Sequence, residues 1–420
     1  MVTQDFERSV SALKAIEVAR EEIRALGYAY KVKRYGDYMP IYEVNIERGG
    51  DRVVSGVGKG GEPFCEAGAY FEAIEHLYGE TIIPMPEKLV VKHTHELAKQ
   101  DVGGKSLPLE MLLEFPDQRV YCTALHEYGG EGRVMYVPTF FWSPSLLMDR
   151  RYVCDDANVE LYEYMLKYAS NSGVASGMTK EDAVLHGINE GIERDGYGTL
   201  LYRYFYCDEV RPLPVLDKGS LSKELKYEIL DIEHHVKHEV VLIDATTNLG
   251  VPVVGAVFKG ARYGGGHCTP GFGCSLYPEI AIKRAVYEAL QIVYGTQAYA
   301  DEYQMMHERD LERIDFDDRF AKCMRFDLSV YEKGLGYEMV DYDDLGDRKV
   351  KLDKPYSTME QVARLVGLLE KKGMRVYVHE LKALAHGAHV MCTQIPGLSL
   401  FFLAAGGMMV PPEGRTVEAY

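Results

Sequence analysis

The chain has 420 residues, 47% of them hydrophobic, enough for one large or two ordinary domains with a substantial core. Its formal net charge of −17 argues against nucleic acid as a partner, because a phosphate backbone needs a basic surface, yet leaves ATP open, since Mg²⁺ can bridge carboxylates to phosphates. The eight cysteines are scattered without a Cys-x-x-Cys pair, which fits a reduced, cytoplasmic setting, and neither the start MVTQDFERSV nor the glycine-broken stretch LSLFFLAAGGMMV reads as a signal or a membrane span.

In chain order, Val10, Leu13, Ile16, Val18, Ile23 and Leu26 give helical periodicity over residues 5–27, stopped by Gly27. Residues 38–55 alternate as two strands around Gly49–Gly50, and a helix follows Pro63. Residues 90–150 mix short helices with strands, including a hairpin at 120–142 that turns at Gly129–Gly130. Helices are expected at about 180–194, 222–232 and 278–294, and a strand pair at 240–260 around Gly250. Residues 300–355 are polar and acidic, with 341–354 the expected mobile segment. Residues 361–373 form an amphipathic helix stopped by Gly373, and strands follow at 374–381 and 389–395. The elements do not alternate in strict βαβ order. The fold class is therefore α+β, with mixed sheets and helices in one intertwined unit and residues 1–50 as a flank packed on a main domain of residues 51–420.

Three stretches share one pattern: a glycine-rich turn, then an Ala-rich helix carrying polar residues three apart. GVGKGGEPFCEAGAYFEAIEH carries Glu72 and Glu75. GVASGMTKEDAVLHGINEGIERD carries Glu190, Glu193 and Arg194. GFGCSLYPEIAIKRAVYEALQ carries Glu288 and Gln291. Gly58, Gly177 and Gly273 precede Glu72, Glu190 and Glu288 by 14, 13 and 15 residues. A spacing of i,i+3 puts each pair on one helical face. A single such pair is ordinarily two solvated carboxylates. Three recurrences suggest convergence, and clustered carboxylates repel unless cations sit among them, which with oxygen ligands points to Mg²⁺.

Gly56, Gly58 and Gly61 also match G-x-G-x-x-G, the dinucleotide fingerprint, but the βαβ continuation is missing and GKG lacks the Ser or Thr of a P-loop. The plain reading is a tight turn; the sharper one is that Lys59 reaches a nucleotide phosphate cradled by backbone N–H groups. His234 and His238 are i,i+4, without a third ligand for a metal. No Ser or Cys sits in a nucleophile context.

On these residues the chain resembles the YcaO superfamily over about 50–415. The segment ending in Glu190, Glu193, Arg194 and Asp195 resembles that family's E-x-x-E-R-D stretch, the GKG segment its first, and the segment ending in Glu288 and Gln291 its third. LEKKGMRVYVHEL, IPGL and VPPEGR are similar to its closing strands. The resemblance implies a fold of its own in which three acidic helices bind ATP and Mg²⁺. It implies Glu72, Glu75, Glu190, Glu193 and Glu288 as metal and phosphate ligands, and Lys59, Asp182, Arg194 and Gln291 as nucleotide contacts, with Arg194 and Glu193 catalytic. His76, Gly68, Met178, Ala175 and Val293 depart from residues common in the family, and the Pro-x-Pro-x-Pro ending of some cyclising members is absent.

The resemblance implies ATP-dependent activation of a backbone amide in a ribosomally made precursor peptide, chiefly cyclodehydration of Cys, Ser or Thr to azolines. Thioamide formation is the alternative. An E1-like or TfuA-like partner protein is expected to capture the leader; nucleic acid and membrane are not expected as partners, and a homo-oligomer is compatible. Two rival readings are a non-catalytic ATP-binding docking subunit and a nucleotide-cofactor oxidoreductase.

Overall fold

Ser11 opens the first helix: its side chain accepts a hydrogen bond from the Lys14 N–H, and Ala12–Ala25 (α1) follows with Ile16, Val18, Ala19 and Ile23 buried on one face. Gly27 lies beyond its end at φ +79°, a left-handed conformation open to a residue without Cβ. The structure is a computed structural model that describes residues 4–130, 132–154, 158–209, 211–260, 269–298, 305, 312, 317–412 and 414–419. The helix expected from residue 5 begins later, because residues 4–7 form a separate 3-10 turn.

Next come the strands Ala29–Tyr35 (β1), Ile41–Arg48 (β2) and Asp51–Gly58 (β3), then the helix Phe64–His76 (α2). Val90–His93 (β4), Arg119–Glu127 (β5), Val134–Pro138 (β6), Val159–Leu166 (α3), Val174–Gly177 (β7) and Lys180–Leu201 (α4) follow. Leu213–Leu216 (β8), Lys223–Val236 (α5), Val240–Asp244 (β9), Val253–Phe258 (β10), Gly271–Cys274 (β11) and Pro278–Ala298 (α6) form the next stretch. Asp318–Arg325 (α7), Tyr337–Val340 (β12), Thr358–Lys371 (α8), Tyr377–Ala383 (β13) and His389–Gln394 (β14) complete the main elements.

The strands make three sheets: β1-β2-β3; β4-β5-β13-β14-β7, with β6 on β5; and β11-β10-β9-β8-β12. Pairing is antiparallel except between β8 and β12. The hairpins expected at Gly129 and Gly250 are both present. β1 escaped the sequence pattern because AYKVKRY is mostly exposed, as an edge strand rich in Lys and Arg can be. The flank of residues 1–50 supplies β2, the middle strand of its sheet, and α1 shares a buried cluster with Ala69, Tyr70, Ala73 and Ile74 of α2.

Residues 341–354, expected to be mobile from their charge, are packed instead. Leu345, Val350 and Leu352 are buried, the Leu352 N–H donates to the Leu276 carbonyl, and Arg364 donates to the carbonyl of Val350. Three aliphatic anchors outweigh the acidic composition.

Each acidic helix rests on a strand that carries glycine. A Cβ on Gly56 would sit 2.1 Å from the Ala73 nitrogen, and one on Gly58 1.7 Å from the Cys65 carbonyl oxygen. On β11, a Cβ on Gly271 would lie 2.3 Å from the Ala289 nitrogen and one on Gly273 2.2 Å from the Ala281 oxygen. On β7, a Cβ on Gly177 would lie 2.6 Å from the Ala183 nitrogen. Strand backbone thus touches helix backbone, with glycines on one side and alanines on the other. Gly56 and Gly58 lie inside β3 rather than in a phosphate loop, and Gly61 has nothing within 4 Å of an added Cβ. Gly58→Ala should destabilise the fold by about 3 kcal/mol through overpacking, while Gly61→Ala stays within about 0.5 kcal/mol. Urea midpoints that shift equally little for both would show that the contact can yield.

Candidate nucleotide site

The strand–helix contacts bring the polar faces of α2, α4 and α6 to one cleft. Each carboxylate has a local partner. Glu72 accepts the Val57 N–H of β3 at 3.1 Å. Glu75 accepts the N–H and O–H of Ser176 on β7 at 2.7 and 3.0 Å. Glu190 accepts the Gly173 N–H at 3.0 Å. Glu288 is hydrogen-bonded and ion-paired with Lys59. Arg194 stands 3.7 Å from Glu190 and 3.8 Å from Glu193. The cleft is open: the Glu72 side chain is 39% exposed and that of Glu190 21%.

The electrostatics show an excess of negative charge. Burial pushes the Glu75 carboxyl up to about 8 against the pull of Ser176, and Glu72 and Glu190 add repulsion. Burial likewise raises Glu193 to about 7, opposed by Arg194 and reinforced by Glu288. Glu72 is raised for the same first reason. Burial pulls the Lys59 ammonium down, but Glu288, Glu72 and Glu193 more than compensate and leave it above its ordinary value.

Glu75 and Glu193 bind protons more tightly in the folded than in the unfolded chain. Their contribution therefore favours the fold below the ordinary value of 4.5 and is lost as pH rises through about 7 to 8. The thermal midpoint of the free protein should fall between pH 5 and 8, and Mg-AMPPCP should raise it most at the alkaline end. A ligand-induced shift of equal size at both pH values would contradict this charge balance.

Among the described residues no three His, Cys, Asp or Glu side chains stand close enough together to hold a metal ion. The five carboxylates expected as metal ligands share a cleft but do not close into a cage, because mutual repulsion and local hydrogen bonds keep them apart. An all-oxygen donor set of this kind suits Mg²⁺, which takes one or two carboxylates together with waters and phosphate oxygens. Polar atoms left without protein partners mark room for that ligand: Arg194 Nε, Gln291 Oε1, Asn189 Nδ2 and His186 Nδ1.

Asp182 keeps its Oδ1 without a protein partner. It is buried, and its Oδ2 accepts the N–H and O–H of Ser9, while its own N–H donates to the N-cap Thr179 at 3.1 Å. Through its other oxygen it ties the N-terminal arm to α4. Arg284 was missed by sequence reasoning. Its Nη2 lies 2.6 Å from Glu7 Oε2, and its Nη1 donates to the Cys274 carbonyl at 2.9 Å. Arg284, Glu288 and Gln291 fall at i, i+4 and i+7, a signal visible in the chain. The arm itself gave none, since residues 5–10 read as the start of α1.

A family model described as YcaO cyclodehydratase, ATP- and Mg²⁺-binding, matches residues 57–399. The chain belongs to the YcaO family. YcaO from Methanopyrus kandleri, solved bound with AMPPCP and Mg²⁺, matches with TM-score 0.64 at 21% identity over 98% of each chain, and the α+β fold of mixed sheets is the YcaO fold. An uncharacterized protein of Methanothermobacter thermautotrophicus is 30% identical over 203 residues, 42% of this chain and 51% of its own length. An uncharacterized protein in the tfuA 3′ region of Rhizobium leguminosarum bv. trifolii is 33% identical over 131 residues, 29% of this chain and 30% of its own. The chain thus spans about half, or less, of the length of these curated relatives. ATP and Mg²⁺, the expected cofactors, are those of the YcaO family, and no described helix is long and apolar enough to cross a membrane.

Within this YcaO cleft Lys59 is the cation on the β3 side. Lys59→Met should weaken Mg-ATP by roughly 1–3 kcal/mol, the scale of a hydrogen bond to a charged group, and leave AMP nearly unaffected. Equal losses for both nucleotides would contradict a phosphate role. Five of the described cysteines are buried, and burial pushes Cys65 up to about 11 and Cys392 up to about 12 and raises Cys122, Cys274 and Cys323 as well. Cys268 lies outside the described residues. The histidine pair is engaged elsewhere, His234 edge-on against His235 and His238 bonded to the Lys259 carbonyl.

Proposed function

We propose that this chain uses ATP and Mg²⁺ to activate a backbone amide of a ribosomally made peptide. The observation that carries the reading is the place of Arg194. It faces Glu190 and Glu193 on one side and lines a cavity of about 530 Å³ on the other. Met135, Val137, Phe141, Ile395 and Leu398 give that cavity apolar walls, and Ser170, Ser172 and Gln394 add neutral hydrogen-bonding groups. Lys105, Glu110 and Lys372 also line it, and such a mixed lining suits an extended peptide segment.

Mg-ATP, when bound, supplies the phosphoryl group that converts the amide oxygen, a poor leaving group, into phosphate. The chain's own part is positioning and charge. Glu72, Glu75, Glu190, Glu193 and Glu288 would hold the metal and orient the phosphates, with Lys59 and Gln291 beside them. Arg194, beside Glu190 and Glu193, would offer a positive charge where negative charge develops. The attacking atom comes from the substrate or from solution, in keeping with the burial of Cys65, Cys122, Cys274, Cys323 and Cys392.

If that atom is the peptide's own Cys, Ser or Thr side chain, the product is a thiazoline or oxazoline, the outcome favoured by the sequence. If it is external sulfide, the product is a thioamide. The likeness to a protein of a tfuA 3′ region favours this second reading and a TfuA-like partner. A docking subunit that binds ATP without chemistry is the third reading. The test is an acceptor peptide labelled with ¹⁸O at its amide carbonyl, incubated with Mg-ATP and the partner protein. Label appearing in inorganic phosphate is expected; phosphate without label would refute activation of the amide.

A further inference from the structure

Asp195 directly follows Arg194 on α4 and is fully buried. Arg415 grips it: Nε lies 2.8 and 2.9 Å from its two oxygens, and Nη2 2.8 Å from Oδ2. The fork's remaining donors reach Thr247 Oγ1 and Asn248 Oδ1, each at 2.8 Å. Asp195 also accepts the Thr247 hydroxyl at 3.2 Å and the Ser399 N–H at 2.9 Å.

Ser399 passes the constraint on. Its hydroxyl accepts the Phe401 N–H at 3.2 Å and pairs with Thr416 at 2.7 Å. This fixes the start of the 3-10 turn Phe401–Gly406, whose Phe402 ring lies 5.4 Å from the Arg194 guanidinium carbon. Arg194 needs such a support. Its distances to Glu190 and Glu193 are too long for hydrogen bonds, and its Nε has no partner. A cation over an aromatic face is a directional contact.

We infer that Arg415 is a positioning residue: through Asp195, Ser399 and Phe402 it aims the Arg194 guanidinium at the outer phosphates of the nucleotide. The inference rests on the nucleotide site proposed above. A buried ion pair by itself is weak evidence for stability, and the geometry here gives this one a second task.

Two variants test it. Arg415→Lys keeps the charge but cannot form the fork. Phe402→Leu removes the ring and leaves the Asp195 network intact. Calorimetry with Mg-AMPPCP and with AMP should show Mg-AMPPCP weakened about tenfold in both variants and AMP changed less than about twofold, the scale of one cation–π contact. In an Arg194→Ala background, Phe402→Leu should have no further effect, because coupled residues are non-additive. Equal weakening of both nucleotides, or an undiminished effect of Phe402→Leu without Arg194, would reduce the network to structural support and overturn the inference. If Arg415→Lys does not fold, Phe402→Leu decides alone, and unchanged Mg-AMPPCP affinity refutes the role. A wild-type protein that binds no Mg-AMPPCP would instead sink the site itself.

Discussion

Glu193→Ala should abolish Mg-dependent ATP binding, with an affinity loss of at least about 100-fold, while the thermal midpoint stays level or rises. The two halves of that expectation share one cause. Glu193 is crowded by Glu190 and Glu288 and lifted to about 7 by burial, so removing it relieves repulsion in the free protein. On the proposed site, the same removal would deprive Mg²⁺ of a ligand, and it leaves Arg194 without its neighbour at 3.8 Å. Glu190→Ala should lose ATP to a similar extent, but it also strips the Gly173 N–H of its acceptor, so its fold should be somewhat weaker. Calorimetry showing unchanged Mg-ATP binding in both variants would remove the assignment.

The second large effect is in the product. With precursor peptide, partner protein and Mg-ATP, cyclodehydration would lower the mass by about 18 Da per modified residue, because the amide oxygen leaves as phosphate while the side chain closes the ring. With a sulfide source, thioamidation would raise it by about 16 Da as sulfur replaces oxygen after the same activation. The modified position separates them again: azoline formation needs Cys, Ser or Thr, whereas a thioamide can form at a residue without a nucleophilic side chain. Neither shift, with ATP still bound, would mean a docking subunit.

The acidic face of each helix could be read from spacing alone, since i,i+3 pairs recur and a helix has only one way to present them. Their convergence could not, because it depends on which strands pair, and those pairings span hundreds of residues: β7 lies beside β14, with Ala175 opposite Met391. Glycines gave a true signal with the wrong meaning. Gly56-x-Gly58 looked like a phosphate turn, yet in β3 it is a surface for Ala69 and Ala73. Asp182 sits where helix caps favour acids, so its residue type could not distinguish a cap, an anchor for Ser9 or a nucleotide contact. Arg415 and Asp195 lie 220 residues apart, beyond the reach of any local pattern.

The backbone contact between the acidic helices and their strands sets how the site responds to change elsewhere. Where side chains separate two elements, a core substitution lets them slide, and any group mounted on the helix drifts with it. Here Gly56, Gly58, Gly271 and Gly273 leave no side-chain layer at those contacts. The height of Glu72 over β3 and of Glu288 over β11 is therefore referenced to peptide planes rather than to a layer of side chains. Variation in core composition can tune the melting temperature of such a protein while each acidic helix keeps its setting on its own strand.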